Sequence, residues 1–161
     1  MALVETDPAQ ALAAADECIQ IDRSQRRTWS SPCRAQHARM QMATGDTAGA
    51  YREMRDLLID VARDGDRVML SSLVLLMAEM VTNTDPGVTL QLAAIYESDA
   101  IAAWGDFSYF PAVAALANER PTDLEAARQA VASMTYEDAI AFIVAAVDAA
   151  IANNEARCEQ T

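Results

Sequence analysis

The sequence predicts an all-α protein of about four stacked helical hairpins, and three observations support this fold class. The first is composition: 52% of the residues are hydrophobic, only 6% are aromatic, and 34 of the 161 residues are alanine. Alanine has the highest helix propensity and allows close helix packing. The second observation is a recurring helix-start pattern led by aspartate. The third is the nearly constant interval between these starts, which indicates repetition of one structural unit.

The helix-start pattern occurs four times, at Asp7, Asp46, Asp85 and Asp123. Successive aspartates are 39, 39 and 38 residues apart. Because an aspartate side chain accepts hydrogen bonds from the free amides of a first helical turn, we expect each one to be an N-cap. A period of about 39 residues is typical of stacked helical hairpins, each of which buries its apolar face against the next.

The first hairpin is predicted from two proline-containing starts. Helix one begins after Asp7, with a proline in the first helical position, and runs to about Asp22. The second helix begins at Pro32 and runs to about Ala43, or it begins nearer Arg27 and bends at the proline.

Two Gly-Asp pairs, at 45–46 and 65–66, bound the second hairpin. Glycine accepts the left-handed conformation after a helix, and the aspartate caps the next helix. The pairs therefore predict helices over about 47–63 and 67–81. The latter segment is apolar nearly all round, which indicates a buried helix at the centre of the fold.

The third hairpin is less regular. We expect its first helix to begin at Asp85 and to run to about Ala103, where a Gly-Asp pair at 105–106 ends it. A proline at 111 disfavours helix in the residue before it, so only a short helix over about 111–118 is predicted to follow.

The fourth hairpin is predicted to begin at Asp123. Its second helix, over 136–152, follows Thr135 and Asp138, which have the spacing of a capping box. Residues 153–161 are polar and are predicted to form a disordered tail. Since no Gly/Ser/Pro-rich linker divides the chain, residues 1–152 are predicted to be a single helical-repeat domain.

The charge is strongly acidic, with a formal net charge of −12 and with arginine as the only cationic residue type apart from one histidine. Such a chain repels phosphate backbones, so we expect no direct nucleic-acid binding. A basic run lies within the first forty residues, and it is either a solvated helix and loop face, which we favour, or a contact for an acidic partner. Its members are Arg23, Arg26, Arg27, Arg34 and Arg39.

The three cysteines, Cys18, Cys33 and Cys158, have no metal-site spacing. Since the sequence shows no signal-peptide pattern, we expect these cysteines to be reduced thiols and the protein to be cytoplasmic. The apolar run over 73–78 is much shorter than a membrane span, so no membrane contact is expected.

Residues that could carry catalysis are scarce, and we predict neither an enzyme nor a metal or cofactor site. The single histidine, His37, lacks a second histidine or a nearby cysteine that would form a zinc site or a catalytic dyad. The chain has no Gly-rich phosphate loop and no lysine to serve one. An enzyme would require acids such as Glu53, Asp56 and Glu79 to converge in the fold.

One group of residues is a candidate binding site. Four aromatic residues lie within seven positions at the irregular joint of the third hairpin, and they are Trp104, Phe107, Tyr109 and Phe110. Aromatic side chains in a loop can line a ligand or peptide site. The alternative, which we favour, is that they fill the gap left by a shortened helix.

Several motifs together resemble one known family region. They are ATGD (43–46), YREMRDLL (51–58), GDR (65–67), LAAIY (92–96), DLEAARQA (123–130) and YEDAI (136–140). Their order resembles the C-terminal helical region of large bacterial signal-transduction ATPases, including LuxR-type and maltose-regulator-like activators and actinobacterial regulators with an adenylate-cyclase-like domain. The likeness covers roughly residues 5–152.

This resemblance implies a tetratricopeptide-like right-handed superhelix that acts as a sensor, scaffold or oligomerisation surface. The family's P-loop, cyclase domain and DNA-binding helix-turn-helix are missing from the sequence, and no catalytic residue carries over. We therefore expect a non-catalytic domain of a signalling or transcriptional regulator. Its partner would be a protein, a peptide or its own upstream ATPase domains. The alternative is a small-molecule sensor with a pocket near Trp104–Phe110.

A homodimer is also expected, through the first or the last hairpin. The apolar stripe of helix one can be wider than the surface that the second helix covers. An apolar patch left exposed in this way is typical of a protein–protein interface. The stripe consists of Ala11, Leu12, Ala15, Cys18 and Ile19.

Overall fold

The computed structural model describes residues 7–24, 31–101 and 110–158, and in these ranges it contains eight α-helices and no strand. The prediction of an all-α fold is confirmed. The helices are α1 (Pro8–Ser24), α2 (Ser31–Thr44), α3 (Thr47–Asp64), α4 (Arg67–Val81), α5 (Pro86–Glu97), α6 (Pro111–Glu119), α7 (Pro121–Val131) and α8 (Tyr136–Cys158).

Most of the predicted caps are confirmed. Three of the four repeated aspartates accept a hydrogen bond from the amide three residues later: Asp7 from Gln10 at 3.1 Å, Asp46 from Gly49 at 2.9 Å and Asp85 from Val88 at 3.0 Å. Asp66 does the same for α4. Gly45 and Gly65 have φ angles of 93° and 72°, the left-handed conformation expected after α2 and α3.

The fourth predicted cap is wrong. Helix α7 begins at Pro121, and the residue before it, Arg120, makes no side-chain capping bond. Proline fixes the φ angle that a first helical position requires, so the helix starts two residues earlier than the pattern predicted. Asp123 instead lies in the first turn, where its negative charge interacts favourably with the positive end of the helix dipole.

Helix α5 ends at Glu97, well before the predicted end at Ala103. The next residue, Ser98, has extended backbone angles, and both its N–H and its hydroxyl donate to the Ile95 carbonyl, at 3.1 and 2.7 Å. A serine hydroxyl that donates to a backbone carbonyl in this way competes with the amide that would bind this carbonyl if the helix continued. The predicted break at 105–106 lies outside the described residues.

The last helix has the predicted start and a later end. The Thr135 amide donates to Asp138 Oδ2 at 3.0 Å and the Asp138 amide donates to Thr135 Oγ1 at 3.1 Å, so the predicted capping box is confirmed. Helix α8 continues to Cys158, beyond the predicted end at 152. Residues 153–158, expected in a disordered tail, are therefore helical.

Helix α4 is the centre of the fold, as its apolar sequence predicted. Most of its side chains are buried, and it packs against α2, α3, α5, α6 and α8. Leu70, Leu73 and Met77 are fully buried within a core that extends from α2 to α8.

The carboxy-terminal helix α8 packs antiparallel on α3. The Tyr136 hydroxyl at the start of α8 donates to the Ala62 carbonyl near the end of α3, at 3.4 Å. Further along α8, Asp148 pairs with Arg55 at 2.6 Å. In a strictly repetitive stack each hairpin contacts only its neighbours. The α3–α8 contact joins the second predicted hairpin to the fourth and closes the fold.

The first two helices are joined by a disulfide between Cys18 and Cys33, whose Cα atoms are 6.0 Å apart. The prediction of reduced thiols is therefore wrong for this pair, and Cys158 is free and exposed. Cys18 near the end of α1 and Cys33 near the start of α2 meet because the two helices form a hairpin.

Candidate interaction surface

Most of the predicted aromatic site cannot be located. Trp104, Phe107 and Tyr109 lie outside the described residues. Phe110 is half-buried, packs against the core and precedes α6 without a side-chain capping bond.

A depression of about 340 Å³ lies at the carboxy-terminal ends of α5 and α7. Its walls include Glu97 and Asp99 on one side and Arg128 and Val131 on the other. It is open to solvent, and its lining includes Ser98 and Ala100, shortly before the described range ends at residue 101.

A second depression, of about 410 Å³, lies between the amino-terminal halves of the same two helices. Asp85 and Val88 line it from the start of α5, and Arg120 and Asp123 line it from the start of α7. Residues at the starts of both helices meet here and residues at their ends meet in the first depression, so α5 and α7 are parallel. We call this surface, with its two depressions, the α5–α7 face.

An ion pair closes the carboxy-terminal end of the α5–α7 face. Arg128 donates to Glu97 through Nε at 2.8 Å and through NH2 at 3.1 Å. The hydrogen bond to Glu97 is the main reason that the Arg128 pKa is raised above its ordinary value, while burial acts in the opposite direction. A second acid, Glu125, lies 3.7 Å from the same guanidinium.

The α5–α7 face is net acidic. Four carboxylates line its two depressions, against the guanidiniums of Arg120 and Arg128. The carboxylates are those of Asp85, Glu97, Asp99 and Asp123. The Asp85 carboxylate already accepts a hydrogen bond as an N-cap, and the Glu97 carboxylate is paired with Arg128. Asp99 and Asp123 therefore carry most of the negative charge that is available to a partner.

The arginines of α2 bind acids of this same chain. Arg34 donates through Nε to Glu53 at 2.5 Å and through NH1 to Asp60 at 2.9 Å. Burial by itself lowers the Arg34 pKa, but the hydrogen bonds to the two acids outweigh it and the pKa is raised. Arg39 pairs with Glu79 at 3.4 Å. These two members of the basic run therefore form internal ion pairs and are not presented as a free basic patch.

The acids required by an enzymatic alternative have other partners or remain exposed. Glu53 is bound by Arg34 and Glu79 by Arg39, while Asp56 is exposed on α3. Across the described ranges, no three His, Cys, Asp or Glu side chains are grouped so that they could hold a metal ion. His37 pairs with Asp16 of α1, with Nε2 3.2 Å from Oδ1.

One described helix, Tyr136–Cys158, is long and apolar enough to cross a membrane by length and composition. The prediction rested on the 73–78 run alone and overlooked the longer apolar run at 139–147, which lies in this helix. In the fold it is tied to α3 by the pairs of Asp148 with Arg55 and Glu155 with Arg52.

Sequence reasoning did not identify the α5–α7 face or the Cys18–Cys33 bond. Both depend on which helices become neighbours, and the sequence signal for each is weak. The cysteines are separated by 15 positions and lie on either side of a predicted connection, which agrees with a hairpin disulfide but does not distinguish it from two free thiols.

Comparison with known proteins adds no further assignment. No protein-family model matches the chain. No curated protein matches it, and no solved structure does. The function is therefore argued from the geometry of the described residues.

Proposed function

We propose that this chain is a non-catalytic helical interaction domain that binds a basic protein or peptide segment along the α5–α7 face. The observation that carries the proposal is the juxtaposition of two open depressions between two parallel helices with exposed carboxylates at each. Open depressions accept side chains of an extended or helical segment. Acidic groups beside them favour an arginine- or lysine-containing partner through charge complementarity.

The chain's charge supports the same partner chemistry. The formal net charge is −12, so the long-range field attracts cationic segments and repels nucleic acid and other anions. The motif resemblance suggests the setting: a helical-repeat, tetratricopeptide-like region of a cytoplasmic bacterial signalling or transcriptional regulator, away from membranes. In that setting the partner is a regulatory protein or the regulator's own ATPase domains.

The experiment is an NMR titration of the ¹⁵N-labelled chain with a synthetic peptide of alternating arginine and leucine. A matched peptide of glutamate and leucine is the control ligand. We expect chemical-shift changes concentrated in α5 and α7 with the arginine peptide and none with the glutamate peptide. Changes spread evenly over the acidic surface, or centred on α1 to α3, would contradict the proposal.

Matched variants sharpen this titration. Asp99→Asn and Asp123→Asn remove one charge each from the α5–α7 face and should each weaken peptide binding about two- to fivefold, as the loss of a rim charge does. Asp64→Asn removes an exposed charge at the end of α3, outside this face, and should leave affinity unchanged within error. Equal effects of all three variants would indicate nonspecific attraction.

A second function is favoured by the position of the 340 Å³ depression. Its volume falls in the range of small-molecule pockets, and three of its lining residues, Ser98, Asp99 and Ala100, precede by a few positions in sequence the stretch that contains Trp104, Phe107 and Tyr109. In this alternative a small aromatic or amphipathic effector binds there. A thermal-shift screen with such compounds tests it: a hit should stabilise the wild type but not Ala132→Leu, which fills part of the depression wall.

Self-association remains a further proposal. The apolar stripe of helix one, on which the homodimer prediction rests, is partly covered within this chain, since Ala11, Ala15 and Ile19 are buried while Leu12 is half-buried. Sedimentation equilibrium of the wild type and Leu12→Glu decides the matter. A monomer at high protein concentration would end the proposal.

A further inference from the structure

Within the part of the chain that the structure describes, helix α1 is attached to the rest of the fold by a small number of contacts. Among the described helices, its substantial contact is with α2. Its buried apolar side chains, among the residues described, are two alanines and one isoleucine, Ala11, Ala15 and Ile19. Because apolar stabilisation scales with the area removed from water, this set contributes little compared with the leucines and methionines of the main core.

The ion pair described between α1 and α2 is also weak. The carboxylate of Asp16 pairs with His37 of α2, but the Asp16 side chain is more than half exposed. Ion pairs that are open to solvent contribute little to stability. The Cys18–Cys33 disulfide is therefore the strongest described link between α1 and the rest of the chain.

Helix α1 covers a distinct face of α2. Cys33, His37 and Met40 are spaced four and three residues apart, so they share one face of the helix, and the first two contact α1. Met40 is fully buried although it is not part of the main core cluster, whereas Ala38 on the other side of α2 belongs to that cluster. Its spacing from Cys33 and His37 places Met40 on the face of α2 that packs against α1.

We propose that α1 is a redox-released strap: reduction of the Cys18–Cys33 bond frees α1 from α2 and exposes the face that carries His37 and Met40. The proposal is independent of the binding proposed for the α5–α7 face. Both cysteines are only half-buried, so a reductant can reach the bond.

The chemistry requires a dithiol reductant. One of its thiolates attacks a sulfur of the Cys18–Cys33 bond and forms a mixed disulfide, releasing the other cysteine as a thiolate that takes up a proton. The second thiol of the reductant then displaces the remaining cysteine and forms the reductant's own disulfide. The protein gains two electrons and two protons, and the dithiol loses the same.

The size of the effect follows from loop closure. A cross-link that spans 15 positions restricts the separation of α1 from α2 and favours the docked state by about a hundredfold in the chain-entropy description. Since the other described contacts of α1 are weak, reduction should shift α1 substantially toward the released state, while the core from α3 to α8 stays folded.

Hydrogen exchange measured by mass spectrometry tests the proposal on the wild-type chain before and after addition of excess dithiothreitol. We expect amides of α1 to exchange roughly tenfold faster or more after reduction, those of α3 to α8 to be unchanged, and reoxidation to restore protection. Cys158→Ser retains the disulfide and should respond like the wild type. Unchanged exchange in α1, an equal increase throughout the chain, or a bond that dithiothreitol does not reduce would each overturn the proposal.

Methionine oxidation by peroxide gives a second measurement, with Cys18→Ser/Cys33→Ser standing in for the reduced chain. Met40, Met54 and Met77 are all fully buried in the disulfide-bonded form. In the variant, Met40 should oxidise at least several-fold faster than in the wild type, while Met54 and Met77 stay protected. Protection of all three would contradict release of α1. If the variant does not fold, the exchange experiment on the wild type still decides.

Discussion

Arg128 of α7 and Glu97 of α5 form a two-point ion pair that joins the carboxy-terminal ends of two parallel helices. The planar guanidinium donates through two nitrogens to the two oxygens of one carboxylate, which fixes the orientation of both side chains. The pair borders the first depression of the α5–α7 face. It therefore links the two walls of the candidate surface at that end.

The first prediction concerns the strength of this pair. A double-mutant cycle of Glu97→Ala and Arg128→Ala should give a coupling energy of about 0.5–1 kcal/mol at low salt and less at high salt, because both side chains are partly exposed. Urea unfolding at two ionic strengths measures it. Glu125→Ala, which removes the longer contact to the same guanidinium, is the control and should couple more weakly with Arg128→Ala. A coupling energy insensitive to salt would argue against an electrostatic origin.

A second prediction follows from the cap of α3. Asp46 closes on the Gly49 amide, and a Cβ at position 49 would overlap the Asp46 carboxylate. Glycine to alanine in a helix normally stabilises by up to about 1 kcal/mol, and loss of an N-cap costs about 1 kcal/mol. Gly49→Ala should thus be nearly neutral in the wild type and stabilising in the Asp46→Ala background. Equal effects of Gly49→Ala in both backgrounds, measured by urea unfolding, would contradict this account.

The helix starts were largely predictable from sequence because capping is a local interaction. Asp46 and Asp85 lie within three residues of the amides they bind, so the pattern contains all the information needed. Asp123 failed for an equally local reason, since a proline two residues earlier starts the helix first. Aspartate capping and a proline in the first turn are two competing signals for a helix start, and the repeat pattern does not indicate which of them prevails.

The tertiary features were not predictable in the same way. The pairing of Arg55 with Asp148 joins positions 93 residues apart, and nothing near either residue indicates its partner. The same holds for the α5–α7 face, which exists only because two helices separated by α6 lie side by side. A repeat period predicts contacts between neighbouring hairpins, so the return of α8 to α3 lay beyond what that period could indicate.

The third prediction concerns pH. Hydrogen bonds from the backbone and side chain of Thr135 lower the Asp138 pKa below its ordinary value, with burial opposing them slightly. A lowered pKa in the folded state means that the ionised carboxylate stabilises the fold above its ordinary pKa of about 3.9, and that this contribution is lost as pH falls through the lowered value. Asp138→Ala should therefore lower the urea midpoint at pH 7.

The difference between Asp138→Ala and the wild type should shrink as the pH is lowered below about 4. Glu137→Ala removes an acid from the same first turn that is outside the capping box, and it serves as the control with a smaller effect at pH 7. A difference that stays constant between neutral and strongly acidic pH would show that the carboxylate's charge is not what stabilises the start of α8.

The last prediction concerns the arginine that joins α2 to α3. Arg34 is largely buried and donates to Glu53 and Asp60 from two different nitrogens, which the single ammonium of lysine cannot reproduce. Arg34→Lys should cost about 1–3 kcal/mol, because it leaves a partly buried carboxylate without its charge-assisted hydrogen bond. Arg39→Lys is the matched control, since the Arg39–Glu79 pair is longer and more exposed, and it should change stability by less than about 0.5 kcal/mol. Chemical denaturation of the two variants compares them directly. If both lose the same stability, the bridging geometry of Arg34 contributes nothing beyond its charge.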